Sequence, residues 1–231
     1  MSPLLCPSCG APVAQRSAAM PYAVCPYCRG VIRWSSAGAE SVGQAAELPF
    51  DVSPIQIGTG GALDGARFSV VGRVRWAWAD GGWNEWLLAM ADGTHRWLAE
   101  AMGQFQILEE CPQADTAPEL AGFAAGGELP LGTLVTLNGL YFVVSDSKII
   151  TCVGAEGDLP FATPAGWKMH SVDFREGEGR SLSVQRDEGG MAAYLGRYVE
   201  LADLNPTNLR AIEGWDIPEA LRGSVRAGGR A

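Results

Sequence analysis

Alternating apolar and polar residues mark the first half of the chain. In Arg73–Trp78, the residues Val74, Trp76 and Trp78 share one side of an extended backbone, and the two arginines point to the other side. Trp83–Met90 alternates in the same way. Because side chains on a strand alternate between its two faces, both runs are predicted strands. Short turns rich in Asp and Gly separate the runs, as in antiparallel hairpins.

Shorter apolar runs continue through the second half of the chain. Five of them are also predicted strands: Phe142–Val144, Lys148–Val153, Val172–Phe174, Leu182–Val184 and Tyr198–Leu201. Helical periodicity is weak throughout. The chain of 231 residues also contains 30 glycines, which favours closely spaced turns. We therefore predict a mainly β fold with little helix.

Two segments repeat at a constant offset of 74 residues. Ile57–Val70 and Leu131–Val144 are identical at six of fourteen aligned positions. The repeat includes Asp64-Gly65 in the first segment and Asn138-Gly139 in the second, and both dipeptides are strong hairpin signals. We predict two related small β-barrel-like units, each SH3-like or a sandwich. The alternative is that two unrelated hairpins share the same turn chemistry.

Four of the six cysteines form two C-x-x-C pairs, Cys6 with Cys9 and Cys25 with Cys28, separated by 15 residues. Two residues between thiolates let a tight turn direct both sulfurs at one ion. Two such turns complete a tetrahedral zinc site, and the spacing is typical of a zinc ribbon. Four thiolates leave no coordination position open, so the predicted zinc is structural.

The second cysteine pair also permits a redox interpretation. Cys25–Cys28 reads C-P-Y-C, the letters of a glutaredoxin active site. That chemistry needs the first cysteine at the N-terminus of a helix, where its pKa is lowered. The residues that follow, Val31–Trp34, are typical of a strand. The sequence therefore favours the metal site over thiol–disulfide exchange.

Charge is unevenly distributed along the chain. The net charge is −9, but residues 1–40 carry +2, with Arg16, Arg29 and Arg33 against a single glutamate. The acidic remainder repels phosphate and disfavours nucleic acid as a partner. Contact between the ribbon and an anionic partner stays an alternative. No apolar run reaches the length of a membrane span, and the N-terminus lacks the features of a signal peptide, so we expect a cytoplasmic protein without membrane insertion.

Five of the eight tryptophans fall between positions 76 and 97, close to acidic residues. The candidate ligand or partner surface consists of Trp83, Glu85, Trp86, Trp97 and Glu100. Aromatic clusters on small barrels line grooves for other molecules, although alternation along a strand also suits a core position. The two histidines of the chain and the lack of a nucleophile or phosphate-loop motif favour a non-enzymatic role, and we assign no catalytic residue.

The alternative is an enzyme or ligand-binding protein. It would have a carboxylate-containing site between the two β units, formed by Glu85, Glu100, Asp158 or Asp173.

Composition divides the chain into a zinc ribbon at 1–34, a linker at 35–53, a first β unit at 54–110, a linker at 111–127, a second β unit at 128–210 and a C-terminal tail at 211–231.

Several runs in the β region are distinctive as a set. They include Leu63-Asp64-Gly65, Phe68–Arg73, Trp83–Leu88, Arg96–Glu100, Gly157–Pro160 and Tyr194–Val199. Together they resemble the bacterial family of domain of unknown function 4178. The resemblance implies an N-terminal zinc ribbon and a role in a membrane-associated or stress-response assembly. With the cysteine site, it favours a zinc-ribbon adaptor or scaffold that binds protein partners.

Overall fold

The computed structural model describes residues 4–225, and its N-terminal part is a small module of short strands. These strands are β1 (Leu4–Leu5), β2 (Pro12–Val13), β3 (Tyr22–Val24), β4 (Gly30–Ser35) and β5 (Gly38–Gln44). β1 pairs with β2, while β3, β4 and β5 form an antiparallel meander. β5 thus occupies part of the segment 35–53 that we predicted as a linker, because its backbone completes the hydrogen bonds of β4.

Ten further strands build the body of the molecule. They are β6 (Gly60–Leu63), β7 (Ala66–Trp78), β8 (Gly81–Met90), β9 (His95–Ala101), β10 (Gln104–Glu110), β11 (Leu134–Leu137), β12 (Leu140–Leu159), β13 (Lys168–Arg175), β14 (Arg180–Asp187) and β15 (Gly190–Val199). Eight of them close a barrel in the order β7-β8-β9-β10-β15-β14-β13-β12, with β12 returning to β7. The prediction of a mainly β fold is confirmed.

One barrel stands where we expected two barrel-like units. The segment before residue 111 contributes the meander β7–β10, and the later segment contributes β12–β15. β10 pairs with β15, and β7 pairs with β12. Each meander therefore covers the other's exposed strand edges, which would otherwise carry unpaired backbone groups.

Both hairpins that the repeat predicted are present, as β6–β7 and β11–β12. Asp64 and Gly65 have φ of 50° and 81°, and Asn138 and Gly139 have φ of 52° and 76°. Positive φ at both central residues defines the turn that matches the twist of paired strands. The equal geometry is what duplication would produce, and the duplication itself stays a prediction.

Four short helices lie against the barrel or between its strands. They are α1 (Pro118–Ala124) and three 3₁₀ helices at Pro112–Thr116, Leu201–Leu204 and Glu219–Ser224. Leu120 and Phe123 of α1 are fully buried against β12–β15. Leu209 and Leu221 are buried against β7–β10. Segments that we predicted as a linker and a tail are therefore parts of the core, although residues 226–231 of that tail lie outside the described residues.

The barrel interior is one apolar cluster that draws residues from seven of its strands. Trp76, Leu87, Trp97 and Ile150 are buried there. Trp86 belongs to a different cluster, on the outer face beneath the C-terminal segments. The tryptophans thus divide between the two faces of the sheet, as their alternation predicts.

The N-terminal module and the barrel meet at the end of β12. Gly157 pairs with Val24 of β3 on one side and with Gly72 of β7 on the other. A Cβ atom at Gly72 would overlap the backbone carbonyl of Asp158. The neighbouring Asp158 side chain is buried and accepts the backbone N–H groups of Ser17 (2.7 Å) and Arg16. Strands β3–β5 of the N-terminal module therefore continue the barrel sheet.

We predict that Gly72→Ala destabilises the whole protein, by about 1–3 kcal/mol in free energy of unfolding. The added methyl group meets backbone, which cannot rotate away as a flexible side chain can. Urea denaturation monitored by tryptophan fluorescence measures the change. Gly177→Ala, in open space and without a positive φ, is the control and should leave stability unaltered. Equal stability of the two variants would contradict the close contact.

Candidate functional site

Each cysteine pair lies in a tight turn between two strands, β1–β2 or β3–β4. The two turns are equivalent, because the Gly10 N–H donates to the Cys6 carbonyl and the Arg29 N–H donates to the Cys25 carbonyl, both at 2.9 Å. Gly10 and Arg29 both have positive φ, at 73° and 61°. Gly30 instead leaves space beside the cluster, since a Cβ atom there would lie 3.4 Å from the Cys28 sulfur. Two matched knuckles thus face each other.

The four sulfurs converge on one point. Cys6 Sγ lies 3.7 Å from Cys28 Sγ, and Cys9 Sγ lies 3.8 Å from Cys25 Sγ. All four ligand atoms lie within 4.8 Å of one another. A tetrahedron with metal–sulfur bonds of about 2.3 Å has edges of about 3.8 Å, whereas a disulfide needs about 2.05 Å. The cysteines therefore fit a four-coordinate metal site.

The thiols influence one another's ionisation. Burial opposes ionisation of Cys6, but backbone N–H groups of Cys9 and Ser8 lower its pKa to about 7. At Cys28 the Gly30 N–H favours the thiolate, yet the neighbouring cysteines raise the pKa to about 12. Negative charge on one sulfur thus suppresses ionisation of the next. A cation at the centre removes that conflict, which is why metal binding releases protons from such sites.

The surroundings of Cys25, Cys111 and Cys152 do not favour redox or nucleophilic chemistry. Cys25 follows β3 and precedes a turn into β4, so it lacks the helix N-terminus that glutaredoxin-type chemistry requires. Cys111 and Cys152 are both buried, and burial raises the pKa of each thiol. A thiol whose pKa is raised by burial is a poor nucleophile near neutral pH.

The three N-terminal arginines already have partners nearby in the chain. Arg16 donates to the Ala14 carbonyl at 3.4 Å. The Arg29 guanidinium donates to the Ala46 carbonyl (Nε–O 3.0 Å), and Arg33 pairs with Glu40 on the adjacent strand. The contacts of Arg29 and Arg33 join β4, β5 and the segment that follows them. The cationic surface left for an anionic partner is correspondingly small.

The four carboxylates of the alternative prediction lie in three different places. Glu85 pairs across the sheet with Ala99, one position before Glu100, so these two glutamates point to opposite faces. Asp158 is the buried anchor of the ribbon. Of the four, only Glu85 and Asp173 lie close enough for the charge of one to raise the pKa of the other, and both lie within the barrel. A catalytic pair made of Glu85 and Glu100 is therefore wrong.

The protein's own groups satisfy the carboxylates inside the barrel. Both oxygens of Glu85 accept indole N–H groups, from Trp76 at 2.8 Å and Trp83 at 3.0 Å. Asp173 accepts the Ser183 hydroxyl at 2.9 Å. Burial raises the pKa of both carboxyls, and the charge of Asp173 raises that of Glu85 further. These contacts describe a polar network within the wall of the barrel.

Glu100 has a different environment, at the base of a groove of about 680 Å³ on the outer face of β7–β10. The side chain is only 8 % exposed. Its Oε2 accepts Asn84 Nδ2 (3.0 Å) and Trp86 Nε1 (2.9 Å). Among residues 4–225, no hydrogen bond reaches its Oε1. One carboxylate oxygen is therefore fixed, and the other is available at the base of the groove.

A network of charges holds the partners of Glu100 in place. The Arg73 guanidinium lies 4.6 Å above the Trp86 ring and donates to Asn84 Oδ1 (Nε–O 3.0 Å). Arg73 also forms an ion pair with Asp51. The guanidinium of Arg210 pairs with the other Asp51 oxygen at 2.9 Å. Burial opposes ionisation of Asp51, but Arg73 lowers its pKa. The segments on either side of the groove are thus tied to the barrel wall.

Apolar side chains surround the opening of this groove. Phe50 is 92 % exposed and Met102 is 98 % exposed, and Val52 is exposed beside them. Phe50 and Val52 belong to a segment without regular structure, and Met102 lies in the β9–β10 turn. Sequence reasoning missed these residues because no hydrophobic period marks such segments. The one signal in the sequence is that Phe50 and Val52 are large apolar residues within the predicted linker at 35–53.

The residues of the predicted surface are distributed between core and groove. Trp86 and Trp97 are fully buried, Trp83 is half-buried, and Glu85 lies inside the barrel. Glu100 is the one member of this set that lines the groove. A surface role therefore stays a prediction for Glu100 and Trp83.

These features define a class: a mainly β protein whose closed eight-strand barrel carries a four-cysteine module able to bind a metal. The family described as Domain of unknown function (DUF4178) matches residues 56–201, which is more than half of the chain, and the chain belongs to that family. The cysteines precede the matched region. No curated protein and no solved structure matches the chain. In residues 4–225, every helix is too short or too polar to cross a membrane.

The raised pKa of Glu85 predicts a pH-dependent contribution to stability. Because the folded protein holds this proton more tightly than the unfolded chain, the contribution is full below the ordinary value of 4.5 and is lost as pH rises through the raised pKa. Glu85→Gln removes the titration. Relative to the wild type, the free energy of unfolding of the variant should therefore increase as pH rises above about 4.5.

Urea denaturation at a series of pH values measures this difference. Subtracting the wild-type value cancels contributions that both proteins share, including those of the cysteines. Glu178→Gln, at an exposed side chain, is the control for the loss of one carboxylate. A constant difference between Glu85→Gln and the wild type across this pH range would contradict a raised pKa of Glu85.

Proposed function

We propose that this chain is a non-enzymatic adaptor or scaffold, in which a structural zinc ribbon and the barrel together bind a protein partner. The observation that supports binding best is the groove around Glu100. It is surrounded by exposed apolar side chains, including Phe50 and Met102, and Phe and Met are enriched at protein interfaces. It also contains a carboxylate oxygen of Glu100 to which no residue among 4–225 donates a hydrogen bond. The setting that we propose is a bacterial membrane-associated or stress-response assembly.

Zinc is the metal that suits the four cysteines. Four thiolates in a tetrahedral arrangement are typical of zinc, with iron as the other metal that uses such ligands. The sulfur separations of 3.7 Å and 3.8 Å agree with this geometry. Four protein ligands leave no position for a substrate, so the role proposed for zinc is structural. It would hold together the two turns that join β1 to β2 and β3 to β4.

We expect the protein from cytosolic expression to carry one zinc ion per chain, measured by native mass spectrometry. Cys28→Ser should lose the zinc, because three thiolates hold the ion less tightly than four. Chelation should lower the melting temperature of the wild type by more than about 5 °C. Cys152→Ser, at a buried thiol outside the cluster, is the matched control and should retain one zinc. An oxidised Cys6–Cys9 pair or a metal-free wild type would contradict the site.

The position of the ribbon suggests how zinc would affect binding. β3 pairs with the end of β12, and Arg29 donates to the Ala46 carbonyl in the segment that leads to the groove. Phe50 and Asp51 follow a few residues later. Zinc would therefore fix the start of the segment that forms one wall of the groove.

Partner binding can be tested in the native host with the full chain. A photo-crosslinking amino acid at position 102 should capture a specific protein, because Met102 is the most exposed apolar residue of the groove. Met102→Arg should reduce recovery of that protein about tenfold or more by placing a charge in an apolar contact. Ile149→Arg, at an exposed apolar residue outside this groove, is the matched control.

Equal recovery by the two arginine variants would contradict the groove as the binding surface. A crosslink only to nucleic acid would favour the alternative of an anionic partner. The alternative of an enzyme or ligand-binding protein rests on Glu85 and Asp173 inside the barrel. It is the weaker proposal because both oxygens of Glu85 already accept protein hydrogen bonds.

A further inference from the structure

Among residues 4–225, no cation forms a salt bridge with the buried Glu100 carboxylate. Its only hydrogen-bond donors among residues 4–225 are neutral, the Asn84 amide and the Trp86 indole, and no salt bridge reaches it within that part of the chain. The nearby Arg73 directs its guanidinium to Asn84, Asp51 and Glu156 instead. A buried carboxylate without a counter-charge lowers stability. The fold nevertheless holds this one in a fixed orientation.

The same groove contains an arginine without an acidic partner. Arg75 is half-buried and lines the groove, and it forms no ion pair within the described residues. Register places Arg75 opposite Asn84, and Asn84 opposite Glu100, so all three point to one face. Two strand spacings separate the two charged residues, about 10 Å along the sheet. The groove therefore presents a negative and a positive group at separate positions.

On the basis of the proposed function, we infer that the groove recognises an extended protein segment with a basic side chain, arginine or lysine, beside apolar residues. The basic side chain pairs with Glu100 Oε1, and an acidic side chain of the same segment pairs with Arg75. Phe50 and Met102 contact the apolar residues. Glu200 also lines the groove and adds to its negative charge. The repulsion from Arg75 excludes the reversed orientation.

The charge requirement can be tested before the partner is identified. A random heptapeptide library displayed on phage is selected on the full-length wild type and on Glu100→Gln. The glutamine keeps one carbonyl oxygen for the Asn84 and Trp86 donors and removes only the charge. Peptides selected on the wild type should be enriched in Arg or Lys next to apolar residues. Synthetic versions should bind Glu100→Gln about 10–100-fold more weakly.

A stability measurement separates recognition from a structural role. If Glu100 serves recognition, Glu100→Gln should be at least as stable as the wild type in urea, since an unpaired buried charge has been removed. If Glu100 serves the fold, the variant should be less stable. Glu178→Gln, at an exposed glutamate outside the groove, is the control and should bind the selected peptides like the wild type.

Three outcomes would overturn the inference: no peptide selected, no enrichment of basic residues, or equal affinity of wild type and Glu100→Gln. Each is distinguishable from failure of the proposed function. If Met102→Arg abolishes recovery of the host protein while Glu100→Gln leaves it unaltered, the groove binds a protein but not through this charge. If neither variant affects recovery, the proposed function fails as well.

Discussion

The structure depends on the close antiparallel contact between β7 and β12 at Gly72 and Gly157. This pairing closes the barrel, and the same residues of β12 extend the sheet into β3 of the ribbon. Neither position has room for a side chain, since a Cβ atom on either glycine would overlap the opposite backbone. The buried carboxylate of Asp158 then receives two backbone N–H groups of the ribbon. The end of β12 thus both closes the barrel and joins the N-terminal module to it.

This attachment connects the cysteine site to the barrel wall and to the groove. A ribbon on a flexible linker would affect only itself, whereas here its sheet is continuous with the barrel wall. The chain leaves β5 and, within a few residues, forms one side of the groove at Phe50 and Asp51. Arg73 and Arg210 both hold Asp51, so three distant parts of the chain meet there. Metal binding by the four cysteines, as proposed, would therefore constrain the shape of the groove.

Local chemistry was predictable from the sequence, and long-range pairing was not. The C-x-x-C pairs and the Asp-Gly and Asn-Gly turns act within a few residues, and the structure bears out both the sulfur cluster and the hairpins. The pairings β10–β15 and β7–β12 join segments tens of residues apart and have no local signature. Two meanders therefore looked like two units. The same limit applies to Glu85 and Glu100, whose opposite faces follow from the β8–β9 register.

The distribution of satisfied and unsatisfied carboxylates distinguishes the candidate functions. Inside the barrel, Glu85 accepts two indole N–H groups, and Asp173 accepts a hydroxyl, so the fold uses these charges for its own wall. At the groove, the fold orients Glu100 through one oxygen and supplies no cation within the described residues. A complementary charge on a partner would stabilise such a group on binding. The Glu100 oxygen that has no donor among residues 4–225 therefore favours the proposal of binding over that of catalysis.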